Sequence, residues 1–462
     1  MRCFTFKLFA VAMLLVSAMT VSAEKVQTAV DDLKYEIDTE TKEAKLIQGL
    51  YSDIVSVNIP SSITVEGESY SVTELGEGCF SEFPFLNQVI IPNTVRKLEA
   101  YSFFRCPNLV DITISSSVKE LGEGCFALCP IWNIELPPSL EIIGEQCFSG
   151  CGYLQSIYIP ASVKNIGMAC FIGCSNLHSV IVSNSNTVYD SRNDCNAIIE
   201  TNSNALISGC KSTVIPNTVT SIYDAAFAYI YSLKEIQIPT SITSIGFEAF
   251  SGTGLQTIFI PKSITELSSS SPSFKECQDL ESIIVDEDNP RYCDIDGVLI
   301  DKEKNCLMTY PAGKRDKEYT IPNTITSIGN SAFIKNRYLT SITLGESIEK
   351  LGILVFSGNS IMKLTCLAKQ CPDAVFGIDT SIYNNATLYV PNESIDLYKS
   401  TIPWSYFKSI VDIESTDINH ITNTDDNEIK AVFGVDGKRI DGMKKGMNIV
   451  KMNNGETRKV IK

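Results

Sequence analysis

Histidine and tryptophan are almost missing. The 462 residues include two of each, His178 and His420, and Trp132 and Trp404. A Ser-His-Asp triad or a histidine-rich zinc site therefore has little to draw on, and neither histidine stands in a setting that marks a catalytic base. No phosphate-cradling glycine loop is present, because Gly76-Glu77-Gly78 runs straight into the apolar pair Cys79-Phe80. Positive charge is also short, with 38 Lys and Arg against 54 Asp and Glu and a formal net charge of −16. That balance argues against binding nucleic acid phosphates, which needs cations to displace counterions. Past the N-terminal segment no stretch approaches 18 apolar residues, so the mature chain is expected to have no transmembrane helix.

The first residues have the form of a secretory signal. Arg2 and Lys7 precede an apolar core, Leu8 to Val21, and Val21-Ser22-Ala23 is a small-residue cleavage site. The run is short for a membrane anchor, and Cys3 precedes the core, so lipid anchoring is not expected. Cleavage after Ala23 removes Arg2 and Lys7 and takes the formal charge from −16 to −18. The expectation is a secreted or cell-surface protein. A hydrophobic fraction of 44% with 20% charged residues suits a chain that builds a core.

That core is built by repetition. Pro92 to Val182 reads IPNTVRKLEAYSFFRCPNLVDIT, ISSSVKELGEGCFALCPIWNIE, LPPSLEIIGEQCFSGCGYLQSIY, IPASVKNIGMACFIGCSNLHSVIV, and the pattern returns at Ile215, Ile238, Ile260, Ile321 and Leu344. Pro137 to Pro160 and Pro216 to Pro239 are steps of 23, and Pro239 to Pro261 is a step of 22. A near-constant step of this size marks a solenoid, in which each unit buries its apolar face against its neighbours. Within one unit, Leu154 to Ile159 alternates like a strand. Pro160 ends it, and Val163 and Ile166 turn back inward. Gly167 serves a tight turn. Cys170, Phe171, Cys174 and Leu177 complete the core.

The run I-P-x-S-V-x-x-I-G-x-x-A-F-x-x-C-x-x-L resembles the BspA-type leucine-rich repeats of surface and secreted proteins of Bacteroidetes-type bacteria, over about residues 54–413. The resemblance implies a leucine-rich-repeat solenoid, a right-handed coil with a continuous parallel β-sheet on one face and turns or short helices on the other. It also implies an adhesin-like role, binding host extracellular proteins or other bacterial cells.

The expected organisation is a signal peptide at 1–23, an N-terminal capping hairpin at 24–49, repeats at 50–415, a polar linker at 416–429 and a C-terminal β module at 430–462. Segments 183–215 and 286–321 are longer than the plain repeat. Each contains a short hairpin pattern, Ile199-Glu200 to Ala205-Leu206 and Ile300-Asp301 to Cys306-Leu307. A structural insertion and a binding loop are both open readings. The tail 430–462 has nine Lys or Arg against three Asp or Glu, a net of +6. It resembles short C-terminal modules that serve export or surface attachment, and a plain structural appendage is the other reading.

Cysteine is abundant, at 16, and Cys125/Cys129, Cys147/Cys151 and Cys170/Cys174 invite a metal or disulfide reading. They recur with the coil rather than converging, and Ser102, Ala226, Ala249 and Ala332 fill the first slot elsewhere. A small buried side chain is what the slot asks for. Cys366 and Cys371 are the best isolated disulfide candidates. Asp294-x-Asp296-Gly297 resembles the start of a calcium loop but lacks the closing Glu. No catalytic residue, metal or cofactor is expected, and the chain is not read as an enzyme. An extracellular hydrolase with two facing carboxylates is the least favoured alternative.

The binding face is the stronger candidate. One outward strand column runs Asn58, Ile90, Thr113, Glu135, Tyr158, Ile181, Gln237, Phe259, Ile284, Thr343 and Thr365, with Trp132 and His178 two or three places earlier in their strands. Large apolar side chains in an outward column suit recognition, although β propensity alone also favours Ile, Tyr and Phe in strands. The candidate binding residues are Ile90, Trp132, Tyr158, His178, Ile181, Phe259 and Ile284. Their expected partner is an extracellular protein or glycan, with export or anchoring machinery a further partner for 430–462. A structural or accessory role in a surface complex is the runner-up.

Overall fold

The computed structural model describes residues 25–413 apart from 269, 270 and 375, together with the backbone of four strands beyond them. The signal peptide expected at 1–23, His420 and nearly all of the linker expected at 416–429 lie outside the described residues.

The chain forms a β-solenoid with mostly parallel strands and little helix, as the repeat implies. Each regular coil contributes two strands. The longer one, such as Ser156–Ile159, pairs in parallel with Ser179–Val182 of the next coil, placing Tyr158 opposite Ile181. The shorter one is a two-residue strand where the chain turns back. Lys97–Leu98, Glu120–Leu121, Ile142–Ile143 and Asn165–Ile166 stack in parallel, pairing Leu98 with Leu121 and Ile143 with Ile166. Alternation sends Ile157 and Ile159 into the core and leaves Tyr158 in solvent.

Between the two ladders lies a column of phenylalanines. Phe80, Phe103, Phe126, Phe148 and Phe171 stack with ring centroids 5.4 to 5.7 Å apart. Phe227, Phe250 and Phe274 continue the pattern beyond the first insertion. The glycine of the I-G pair serves close approach rather than an unusual turn. A Cβ on Gly167 would sit 2.2 Å from the Glu145 nitrogen, and one on Gly144 2.5 Å from the Glu123 nitrogen.

The strand-face sheet is divided, where the resemblance implied a continuous one. It runs as Ser56–Asn58 to Asp111–Thr113, then Ser156–Ile159 with Ser179–Val182, then Thr257–Ile260 with Ser282–Val285, then Glu318–Thr320 to Ser409–Asp412. The first break has a local cause. Cys129-Pro130-Ile131 reaches its core aliphatic one residue sooner than Cys151-Gly152-Tyr153-Leu154 does. Residues 133–136 are then out of register and make no main-chain hydrogen bond to either neighbouring coil.

Both long segments contain three antiparallel strands whose last member rejoins the short ladder. Tyr189–Asp190, Ala197–Glu200 and Ala205–Gly209 lead to Ser221–Ile222. Tyr292–Ile295, Val298–Asp301 and Cys306–Thr309 lead to Ser327–Ile328. One asparagine anchors each. Asn289 Nδ2 donates to the carbonyls of Pro261 and Ile264, both at 3.0 Å, and its Oδ1 accepts from the Arg291 and Tyr292 amides. Asn186 does the same with Pro160, Val163, Val188 and Tyr189. Each insertion is thus bolted to the coil before it.

At the N-terminal end, Lys25–Val30, Leu33–Asp38 and Glu43–Gly49 form an antiparallel meander whose third strand pairs in parallel with Glu68–Leu75. Leu33, Tyr35, Ile37, Ala44 and Leu46 are its buried side. At the other end, Tyr398, Trp404 and Phe407 are buried over the last coils, and Trp404 Nε1 donates to the Pro372 carbonyl at 2.8 Å. Further along, Arg439–Ile440, Ile429–Phe433, Met447–Met452 and Thr457–Ile461 form a four-stranded antiparallel sheet in that order. Among the described residues no helix is long and apolar enough to cross a membrane.

Candidate binding face

All seven candidate residues are exposed. They do not converge on one point. Strand register sets Tyr158 beside Ile181 and Phe259 beside Ile284. Ile90 lies apart from both pairs, between Asn58 and Thr113. Trp132 and His178 belong to a parallel row with Gln155 between them, since the Gln155 amide donates to the Trp132 carbonyl and the His178 amide to the Gln155 carbonyl. The arrangement is a strip along the solenoid.

Two members of the strip are not found by counting along the sequence. Val214 precedes the Ile215-Pro216 pair as Tyr158 precedes Ile159-Pro160, but the insertion before it interrupts the count. It is 73% exposed, and the insertion separates it from the Tyr158–Ile181 pair, since its amide donates to the Cys195 carbonyl at 3.0 Å. Tyr153 lies on the turn side of its strand, outside the outward column. Its ring lies at 12° to that of Trp132 with centroids 6.4 Å apart, and both rings are more than half exposed. Tyr153 stands two residues before Gln155, the one-coil neighbour of Trp132, so no repeat position links the two rings. In the other direction, Thr365 was expected to face solvent and is buried, held between its register partners Thr343 and Tyr389.

Polar groups along the strip are mostly uncharged. His178 Nδ1 lies 3.2 Å from the Asn176 carbonyl. A carbonyl only accepts, so that nitrogen carries the proton, and in the neutral ring Nε2 is left as the acceptor. Gln155 and Asn133 are exposed beside the Trp132–Tyr153 stack.

Twelve of the fifteen cysteines among the described residues are buried in the core, and Cys293, Cys306 and Cys371 are partly buried. Cys106, Cys129, Cys151 and Cys174 each donate to the phenylalanine carbonyl one coil back, those of Phe80, Phe103, Phe126 and Phe148, at 3.0 to 3.1 Å. Burial pushes the Cys151 thiol up to about 12 and those of Cys277 and Cys366 up to about 11, far from a reactive thiolate. All cysteines among the described residues are free thiols. Cys366 and Cys371, the best isolated disulfide candidates in the sequence, are both free. The Cys366 sulfur instead lies 3.1 Å from the Tyr398 hydroxyl, which also reaches the Ala368 carbonyl at 2.8 Å. The carboxylate of Asp294, in the calcium-like motif, is taken by the hairpin itself. Its oxygens accept from the Val285 amide at 2.8 Å and the Gly297 amide at 3.4 Å. A groove over Ser221–Ile222 and Ser244–Ile245 is lined by Asp224, Glu266 and Arg291, but Asp224 Oδ1 is taken by the Phe247 amide at 2.6 Å.

Residues 73–195, 198–292 and 313–429 match the family model described as BspA type leucine rich repeat region, in six copies. Among solved structures, a leucine-rich repeat protein from Eubacterium ventriosum ATCC 27560 is similar, with TM-score 0.52 and 20% identity over 73% of this chain and 96% of that one. It shares the repeat fold. A leucine rich cell surface protein from Faecalibacterium prausnitzii A2-165 aligns over 84% of this chain and 95% of that one, at 22% identity and TM-score 0.42. A leucine-rich repeat protein from Bacteroides ovatus ATCC 8483 aligns over 84% and 99%, at 22% and 0.43. No curated protein matches the chain.

Proposed function

The chain belongs to the BspA type leucine-rich repeat family, and from that premise we propose that it is a protein-binding surface protein that adheres to host or bacterial surface macromolecules outside the cell. The strand face makes the contact, and no catalytic step is assigned to the chain. The observation that carries this reading is the two exposed register pairs Tyr158 with Ile181 and Phe259 with Ile284, the members of each pair one coil apart. Apolar side chains held in solvent on a rigid sheet lose little conformational entropy when a partner covers them, and aromatic anchors carry much of the energy of such contacts. The signal-like segment 1–23 supports export.

The test is capture from extracellular matrix, serum and bacterial surface proteins. Tyr158→Ala with Phe259→Ala should weaken capture and leave the thermal midpoint unchanged. A parallel fall in stability would place the two side chains in the core and end this reading. The net charge of +6 on 430–462 supports a second role for that segment, in export or surface retention. Its removal should release the protein from the cell surface or block its export, and unchanged retention would exclude a sorting role.

A further inference from the structure

We propose that Trp132, Tyr153, Gln155 and His178 form a subsite for a neutral oligosaccharide. The inference deepens the strand-face reading and rests on it, because the subsite lies on that face. Its centre is the parallel stack of Trp132 on Tyr153, two rings at 12° with centroids 6.4 Å apart, each 58% exposed. An exposed ring presents an electron-rich face, and the C–H face of a pyranose is its natural complement.

The groups around the stack supply the rest of the chemistry. Main-chain hydrogen bonds fix Trp132, Gln155 and His178 in one row, one coil apart. Beside it lie Asn133, next to Trp132 in sequence, and the register pair Ser156 and Ser179. Five of these six side chains are amides, hydroxyls or an imidazole, and none carries a full charge when His178 is neutral. The Gln155 side-chain amide has no hydrogen-bond partner among the described residues, and His178 engages the Asn176 carbonyl through Nδ1 alone, which leaves Nε2 for a ligand. Sugar hydroxyls both donate and accept, and this mixed set answers them. The charge bordering this set is the exposed carboxylate of Glu135, which in a chain of formal charge −16 disfavours an anionic ligand and leaves a neutral one favoured.

Length also agrees. Successive coils advance by about 4.8 Å, close to the advance of one pyranose unit along an oligosaccharide. A sugar on the Trp132–Tyr153 stack therefore places its neighbours over Gln155 and then His178. A protein side chain needs no such step-by-step correspondence.

The two tryptophans make the test direct. Trp404 is fully buried at the far end of the chain, and Trp132 is in solvent, so a fluorescence change on ligand addition reports Trp132. The full chain is titrated with cellohexaose, laminarihexaose, maltohexaose, xylohexaose and mannohexaose. The expected result is saturable quenching or a blue shift with at least one of them. Tyr153→Ala and Gln155→Ala should each weaken it roughly tenfold, the scale of one lost ring or hydrogen-bond contact, at an unchanged thermal midpoint. Phe259→Ala with Ile284→Ala should leave the sugar response intact. No saturable response to any of the five overturns the proposal. So does loss of protein capture in Trp132→Ala and Tyr153→Ala without sugar binding, which would make the stack a protein contact. Failure of the sugar response with protein capture retained removes this subsite and leaves the strand-face reading standing.

Discussion

The thiol of Cys151 donates to the main-chain carbonyl of Phe126, one coil earlier, across 3.1 Å. The same carbonyl accepts from the Cys129 amide at 3.2 Å, so both of its lone pairs are used. Asn359 occupies the corresponding place in its own coil and donates to the Phe333 carbonyl at 2.8 Å. The slot calls for a compact donor, and cysteine supplies one that also packs as an apolar side chain.

Cys151→Ala should therefore destabilise the protein by about 1–2 kcal/mol through the lost donor and packing. Cys151→Ser keeps a donor and should cost less. Urea denaturation compares them, and equal losses would show that the donor contributes nothing.

The buried thiols also set a limit at high pH. Below the ordinary thiol value of 9.0, folded and unfolded chains both hold the Cys151 proton and its contribution is complete. Between 9.0 and about 12 the unfolded chain releases a proton that the folded chain retains, so stability falls as pH rises through that window. Thermal midpoints under reducing conditions should drop from pH 9 upward. A flat profile would mean that the thiols ionise in place.

Gly167→Ala forces a Cβ to within 2.2 Å of the Glu145 nitrogen on the coil before, and backbone cannot yield as a side chain does. A loss of about 2–3 kcal/mol is expected. Gly152→Ala meets nothing closer than 4.0 Å and should stay within about 0.5 kcal/mol. Chemical denaturation of the pair gives the contrast.

Asn289→Ala leaves the carbonyls of Pro261 and Ile264 without their side-chain donor, and the Arg291 and Tyr292 amides without an acceptor. Each buried group left unpaired costs on the order of 1 kcal/mol or more. Proteolysis should then cut within 286–321 before the rest of the solenoid. Uniform resistance would show that the insertion does not depend on this residue.

Intact-mass measurement of the exported protein is expected to find an N-terminus at Glu24. A surface protein that retains residues 1–23 would refute cleavage there.

The repeat, the inward columns and the cysteine ladder were all legible in the sequence, because burial repeats with the coil and a missed residue shows as a broken step. Cys129, Cys151 and Cys174 could be assigned to the core from the small residues that replace their neighbours in other coils. Their donor role could not, since it depends on a carbonyl brought close only by stacking. Val214 was hidden by an insertion of uncertain length, and Thr365 was misplaced because its cover comes from Tyr389 in a later coil.

By itself the sequence determined that this is a solenoid with few imidazoles to work with and a column of large apolar residues pointing away from its core. Period and alternation are local properties, set by steric and hydrophobic rules that act within one coil. Tertiary structure alone decided where the sheet breaks, that Cys366 and Cys371 are free thiols, and that Trp132 and Tyr153 meet as a stack. Each of those depends on distances between coils, and a change of one residue in coil length shifts the register of everything it touches.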